Sequence, residues 1–166
     1  MKKLLNLLLL VGLLIGCFLG IKALLPTDEK RIQTLFFNLS GDLSFSRDFG
    51  NIQRGLRIES LPGYFTSDCV IQLDVRGVGS RSFRGRNDIA STARNLFGWP
   101  GDLEVRFLDI VFREPPDGDQ AEVELTATIN TGEAEGFSAQ EMRFQLRKVD
   151  KKWLIEKART FETLVR

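Results

Sequence analysis

Tyr64, Asp74, Asp109 and Glu141 are the residues of this 166-residue chain whose types could run acid–base chemistry. The chain contains no histidine. That removes a Ser-His-Asp triad, a Cys-His pair, His-liganded zinc and any imidazole base. What remains is a carboxylate base working with a hydrogen-bonding acid beside an apolar pocket, where burial raises a carboxyl pKa, as an isomerase or lyase requires. Trp99, bracketed by Gly98, Pro100 and Gly101, is a further ligand-contacting candidate, because a tryptophan in a rigid loop can line the mouth of a pocket. No metal site and no cofactor is expected.

Each candidate also has a simpler structural reading. Tyr64 follows Pro62 and Gly63 and can pack with its hydroxyl at a rim. Asp74 and Arg76 share a strand face and can form a surface pair. Asp109 lies where the apolar phase of a strand shifts, and a bulge there leaves it solvated or turns it toward a site. Glu141 and Arg143 occupy the polar face of one strand, as Glu122 and Glu124 do on another, and opposite charges across strands contribute about 0.2–1 kcal/mol. Arg81, Arg84 and Arg86 read as solvated charge beside Asp88.

The elements that must position these residues are helices first and strands later. Thr27 is an N-cap with Asp28 and Glu29 in the first turn, and Ile32, Leu35, Phe36 and Leu39 give one apolar helix face ending near Gly41. Phe49, Ile52, Leu56 and Leu61 suggest a second helix, stopped by Pro62 and Gly63, with Arg54, Arg57 and Glu59 as its solvated face. Val70 to Arg76 alternates as a strand, Gly77 to Ser80 is a turn, and Ser82 to Arg84 is a short return. A third helix starts at Asn87 or Asp88, buries Ile89, Ala93, Leu96 and Phe97, and ends at Gly98. Leu103, Val105 and Phe107 then share a face before the phase shifts to Leu108, Ile110 and Phe112, which predicts a bulge near Leu108. Glu114 to Asp119 is a loop, Ala121 to Ile129 a clean strand, and Thr131 to Gly136 a turn. Two further strands run through Met142, Phe144 and Leu146, and from Trp153 to about Leu164.

Ahead of this domain, residues 1–25 carry Lys2 and Lys3, a leucine-rich run from Leu4 to Ile21, then Lys22. Eighteen helical residues span about 27 Å, close to a bilayer's hydrocarbon core. Length and charged flanks favour an uncleaved signal anchor. Leu14, Ile15, Gly16 and Cys17 also resemble a lipoprotein signal with Cys17 as the acylated residue, and a cleaved secretory signal is the third reading. All three place the domain of residues 26–166 on the extracytoplasmic side of the cell membrane, the periplasm in a Gram-negative cell. From Thr27 onward there are 20 Lys and Arg against 22 Asp and Glu, a net of minus 2, which offers no field for nucleic acid. Cys69 is the only thiol beyond Cys17, so no disulfide forms within the domain.

The order of elements is an α+β plan, a curved antiparallel sheet wrapped around about three helices. Gly63, Tyr64, Phe65, Thr66, Ser67 and Asp68, then Gly85 to Ile89, then Phe144 to the Trp153, Leu154, Ile155 hairpin, resemble the nuclear transport factor 2-like, or SnoaL-like, superfamily. The resemblance implies a cone with a cavity open at one end, a space that different members use for isomerase, dehydratase or non-catalytic roles. It leads to the expectation of a membrane-tethered, non-catalytic binding or assembly module. Its partners would be the membrane, a small apolar ligand or an envelope protein, with a homodimer as a further expectation. The alternatives are a small-molecule isomerase or lyase and a scaffold similar to the single-pass inner-membrane component of type IV secretion machines.

Overall fold

A computed structural model describes residues 27–75, 79–97, 101–132 and 136–161. The expected anchor, Cys17 and Trp99 lie outside those residues. Among the described residues no helix is long and apolar enough to cross a membrane.

Helix α1 (Asp28–Leu43) starts where the capping pattern places it, with the Thr27 hydroxyl accepting from the Lys30 amide at 3.3 Å. Ile32, Leu35, Phe36 and Leu39 are all buried, as their spacing requires. Lys148 Nζ donates to Asp28 Oδ2 at 2.7 Å and pins the start of α1 to the sheet. At its other end, the Ser40 hydroxyl donates to the Val105 carbonyl at 2.6 Å, and the Val105 amide donates to the Ser44 hydroxyl at 2.9 Å. α2 (Asn51–Ser60) runs into a 3-10 turn at Leu61–Tyr64 that carries Pro62. α3 (Gly85–Phe97) begins two residues before Asn87, the earlier of its two expected caps. Gly85 has φ +72°, and a Cβ there would sit 3.2 Å from the Ser67 carbonyl oxygen, so both backbone angle and space call for glycine.

Six strands form one open curved sheet in the order β2-β1-β6-β5-β4-β3. They are β1 (Phe65–Val75), β2 (Gly79–Arg84), β3 (Glu104–Asp117), β4 (Gln120–Asn130), β5 (Phe137–Val149) and β6 (Lys152–Thr160). All neighbours are antiparallel except β1 and β6, which run parallel. The expected loop at Glu114–Asp119 is strand as far as Asp117, because Glu114 pairs with Glu122 and Asp117 with Gln120. The two prolines are tolerated there because β3 is an edge strand. The expected bulge exists: Leu108 pairs with Thr126 and Val111 with Glu124, leaving two residues of β3 opposite one of β4. The bulge falls after Leu108, so Leu108 faces solvent while Ile110 and Phe112 pack on the core. Phe36 of α1 meets Phe107 and Phe144 edge-on, at centroid distances of 5.6 and 5.0 Å, and seats the helix in the concave face.

α2 keeps only part of the expected amphipathicity: Phe49 and Leu61 pack on the core and Glu59 is exposed, while Ile52, Leu56, Arg54 and Arg57 are reversed. Its arginines face the body: Arg54 donates to the Phe97 carbonyl at 3.0 Å, and Arg57 donates to the carbonyls of Gly41 and Ser44. The Arg57 guanidinium also lies 4.6 Å from the Phe49 ring centroid. The Gly41 and Phe97 carbonyls belong to the last turns of α1 and α3, whose C-terminal oxygens have no partner within their own helix and sit at the negative end of the dipole, and Ser44 is the residue that caps α1. Two guanidinium groups satisfy them better than leucine or isoleucine can. Ile52 and Leu56 are therefore turned outward, 81% and 63% exposed.

Candidate functional site

The concave face of the sheet does not close onto the helices. A cavity of about 480 Å³ remains, inside the range of about 300–1,000 Å³ typical of small-molecule sites. Leu39 and Leu43 of α1 and Ile89 and Ala93 of α3 form one wall, and Phe107, Met142 and Phe144 are among the sheet residues that form the other. Three alanines explain why the space stays unfilled: Ala93, Ala127 and Ala158 each present a methyl where a larger side chain would close the gap. Ile129, at the end of β4 and still exposed, marks part of the opening.

The wall's chemistry is uniform. Its only side-chain polar groups among the described residues are the Thr92 and Thr131 hydroxyls; no carboxylate, guanidinium, amine or phenol lines it. Such a surface has nothing to orient a charged substrate and no group to move a proton. It can hold a hydrocarbon body, gaining about 0.8 kcal/mol for each methylene taken out of water.

The predicted residues Tyr64, Asp74, Asp109 and Glu141 are dispersed around this cavity, and none of these four lines it. Tyr64 donates its phenolic hydrogen to Asp42 Oδ2 at 2.7 Å, and the Ser60 hydroxyl donates to the same oxygen at 2.8 Å. Burial, and then the Asp42 carboxylate, push the Tyr64 hydroxyl well above the usual phenol range. The phenol thereby ties the 3-10 turn to the end of α1, which makes it a structural clamp. Asp74 is exposed on β1 across from Ser80, and its amide donates to the Thr160 hydroxyl at 2.8 Å. Asp109 occupies the bulge with φ 52°, its side chain exposed. Glu141 is half-buried on the convex face of β5, and its carbonyl accepts from the Phe161 amide. Of the three clustered arginines, Arg86 donates from Nε to the Phe65 carbonyl at 2.8 Å, a backbone contact in place of free solvation.

The cross-strand charge pairing expected of Glu122, Glu124 and Arg143 is present, and with Arg113 it forms the most organised charge in the domain. Glu124, 7% exposed, accepts from Arg143 on β5 at 2.9 and 2.5 Å and from Arg113 on β3. The Arg113 hydrogen bond and then that of Arg143 hold its carboxyl below the ordinary glutamate value. The strand alternation announced Glu124 as a solvent-face residue. Only the register shows that Arg143 lies directly opposite and that the bulge in β3 brings Arg113 over it.

No family model and no curated protein matches the chain. Solved structures do. A nuclear transport factor 2-like protein of unknown function from Pseudomonas putida superposes with a TM-score of 0.62 at 12% identity, covering 82% of this chain and 87% of its own. A second such protein, with a cystatin-like fold, from Novosphingobium aromaticivorans gives 0.60 at 15% identity, covering 88% and 86%. The fold is that of the nuclear transport factor 2-like proteins. A further match from Novosphingobium aromaticivorans, described as the beta subunit of an aromatic-ring-hydroxylating dioxygenase, gives 0.60 at 14% identity, covering 82% and 90%. At these identities the likeness of the chain to its neighbours concerns backbone architecture, and its site must be read from its own side chains.

Proposed function

We propose that the chain is a membrane-tethered, extracytoplasmic binding module whose cone takes a neutral apolar small molecule without transforming it. The observation that carries this reading is the cavity wall, aliphatic and aromatic with two threonine hydroxyls, while Tyr64, Asp74, Asp109 and Glu141 stand elsewhere. An isomerase or lyase would need at least one ionisable group within hydrogen-bond reach of a ligand in that space. The tether rests on the length and flanks of the apolar run in residues 1–25.

Photolabelling tests the reading. The full chain in lipid nanodiscs is irradiated with a diazirine-bearing fatty alcohol, and labelled peptides are mapped. Labelling of the Leu39–Leu43, Ile89–Ala93 and Met142–Phe144 peptides, reduced by Ala127→Phe, is the expected result. Label confined to residues 1–25 would refute cavity binding. A second reading, a scaffold within an envelope assembly, is favoured by the outward-facing Ile52 and Leu56. It expects those side chains to be the ones that meet a partner.

A further inference from the structure

The convex face of the sheet carries a second, chemically opposite depression. It is a shallow groove of about 220 Å³ lined by Val70 and Gln72 of β1, Lys157 and Arg159 of β6, and Arg143 and Gln145 of β5. The register builds it: Lys157 lies between Val70 and Gln145, and Arg159 between Gln72 and Arg143. Arginine directly opposite arginine is a like-charge pairing that destabilises a sheet unless something compensates it. Arg143 is compensated by Glu124 at 2.5 Å and Glu122 at 3.5 Å. Lys157 and Arg159 are exposed, and no ion pair holds either of them among the described residues. Two positive charges are thus left in one groove without a lining carboxylate, on a domain whose overall balance is 20 cations against 22 anions.

We propose that this groove binds a phosphate-type oxyanion, the Arg159 guanidinium and Lys157 ammonium supplying the charge and the Gln72 amide a further hydrogen bond. Inorganic phosphate or a phosphomonoester carries about −1.5 to −2 at neutral pH, which matches the two uncompensated cations; a single carboxylate would leave one of them unmet. A guanidinium fork beside an ammonium suits phosphate oxygens, which accept bidentate and point-charge contacts together. Phe161, whose ring centroid lies 5.2 Å from the Arg143 guanidinium carbon, places an aromatic ring beside the same face. A phospholipid headgroup offers the same kind of oxygens at a charge of about −1, and the two sources separate experimentally.

The test is equilibrium dialysis of radiolabelled inorganic phosphate against the full chain in phosphatidylcholine nanodiscs at fixed ionic strength. Saturable binding is expected. It should weaken by roughly tenfold or more in K157Q/R159Q, about 1.4 kcal/mol or more. In K151Q/K152Q, which removes two exposed lysines at the β5–β6 turn, it should be unchanged. Circular dichroism melting of the variants checks that the sheet is intact, and Arg159→Lys, which keeps the charge, should recover part of the binding. Repeating the measurement in phosphatidylglycerol nanodiscs assigns the source: suppressed uptake of free phosphate indicates a headgroup already in the groove, and unchanged uptake indicates a soluble oxyanion. Absence of saturable binding in both nanodisc types, or equal binding by wild type and K157Q/R159Q, would overturn the proposal.

Discussion

Tyr64 illustrates how a residue type that can do chemistry is diverted to structure by one neighbour. It is the only tyrosine in the chain, so its ionisation can be followed by ultraviolet absorbance without overlap from another phenol. Its folded pKa is raised, chiefly by burial and then by Asp42, so the native state holds the proton more tightly than the unfolded chain. The Tyr64 contribution to stability is therefore complete below the unfolded value near 10 and is lost as pH rises beyond it. Tyrosinate absorbance should appear only above the pH at which a free phenol ionises and should coincide with alkaline unfolding; Tyr64→Phe should shift the midpoint of alkaline unfolding followed by circular dichroism. Glu124 has the opposite sign. Its folded pKa is lowered, so its contribution is present above the unfolded glutamate value of about 4.3 and disappears as pH falls through the lower folded value. Glu124→Gln should cost about 1 kcal/mol at neutral pH, since it removes the charge from the hydrogen bonds to Arg143 and Arg113 while Glu122 still faces Arg143, and should flatten the acid limb of a stability-versus-pH curve. Denaturant melts of both proteins across pH 3 to 7 measure this. Asp42, 22 positions from Tyr64, has no signal in the sequence, whereas Arg143, 19 positions from Glu124, is expected on a facing polar strand surface and only the register pairs the two.

At the scale of elements, local periodicity located almost everything and misjudged one face. α1, the clean alternation of β4 and the bulge in β3 were legible because each is set by neighbours a few residues away. The facing of α2 was not. Its pattern reads as Ile52 and Leu56 inward, yet the demand came from the carbonyl ends of two other helices, which no spacing within residues 51–60 reveals. The reversal has a direct consequence for mutagenesis. Arg57→Ala should destabilise the fold by about 1–3 kcal/mol, through carbonyls left without a donor and lost packing on Phe49. The double substitution Ile52→Ser and Leu56→Ser should stay within about 0.5 kcal/mol of wild type, as expected for exposed positions. Urea melts of the two variants decide between this arrangement and the conventional one, in which the order of effects would be reversed.

For the whole molecule, the sequence foretold the cone but not the character of its interior. The ionisable candidates stand away from the cavity, whereas the cavity is defined by where bulk is missing, at Ala93, Ala127 and Ala158, three positions that periodicity marks only as inward. The cavity also has a polarity along the domain. α1 has 16 residues, about 24 Å, from Asp28 beside the β5–β6 turn to Leu43 in the cavity wall. The central claim, an apolar ligand in this cavity, is tested most directly by methyl-resolved NMR of the full chain in nanodiscs, titrated with n-decane. Saturable shifts are expected at Leu39, Leu43, Ile89 and Ile129, with Ile52 and Leu56 unmoved, and Ala127→Phe should abolish them. Shifts at Ile52 and Leu56 alone, or none at the cavity methyls, would contradict it.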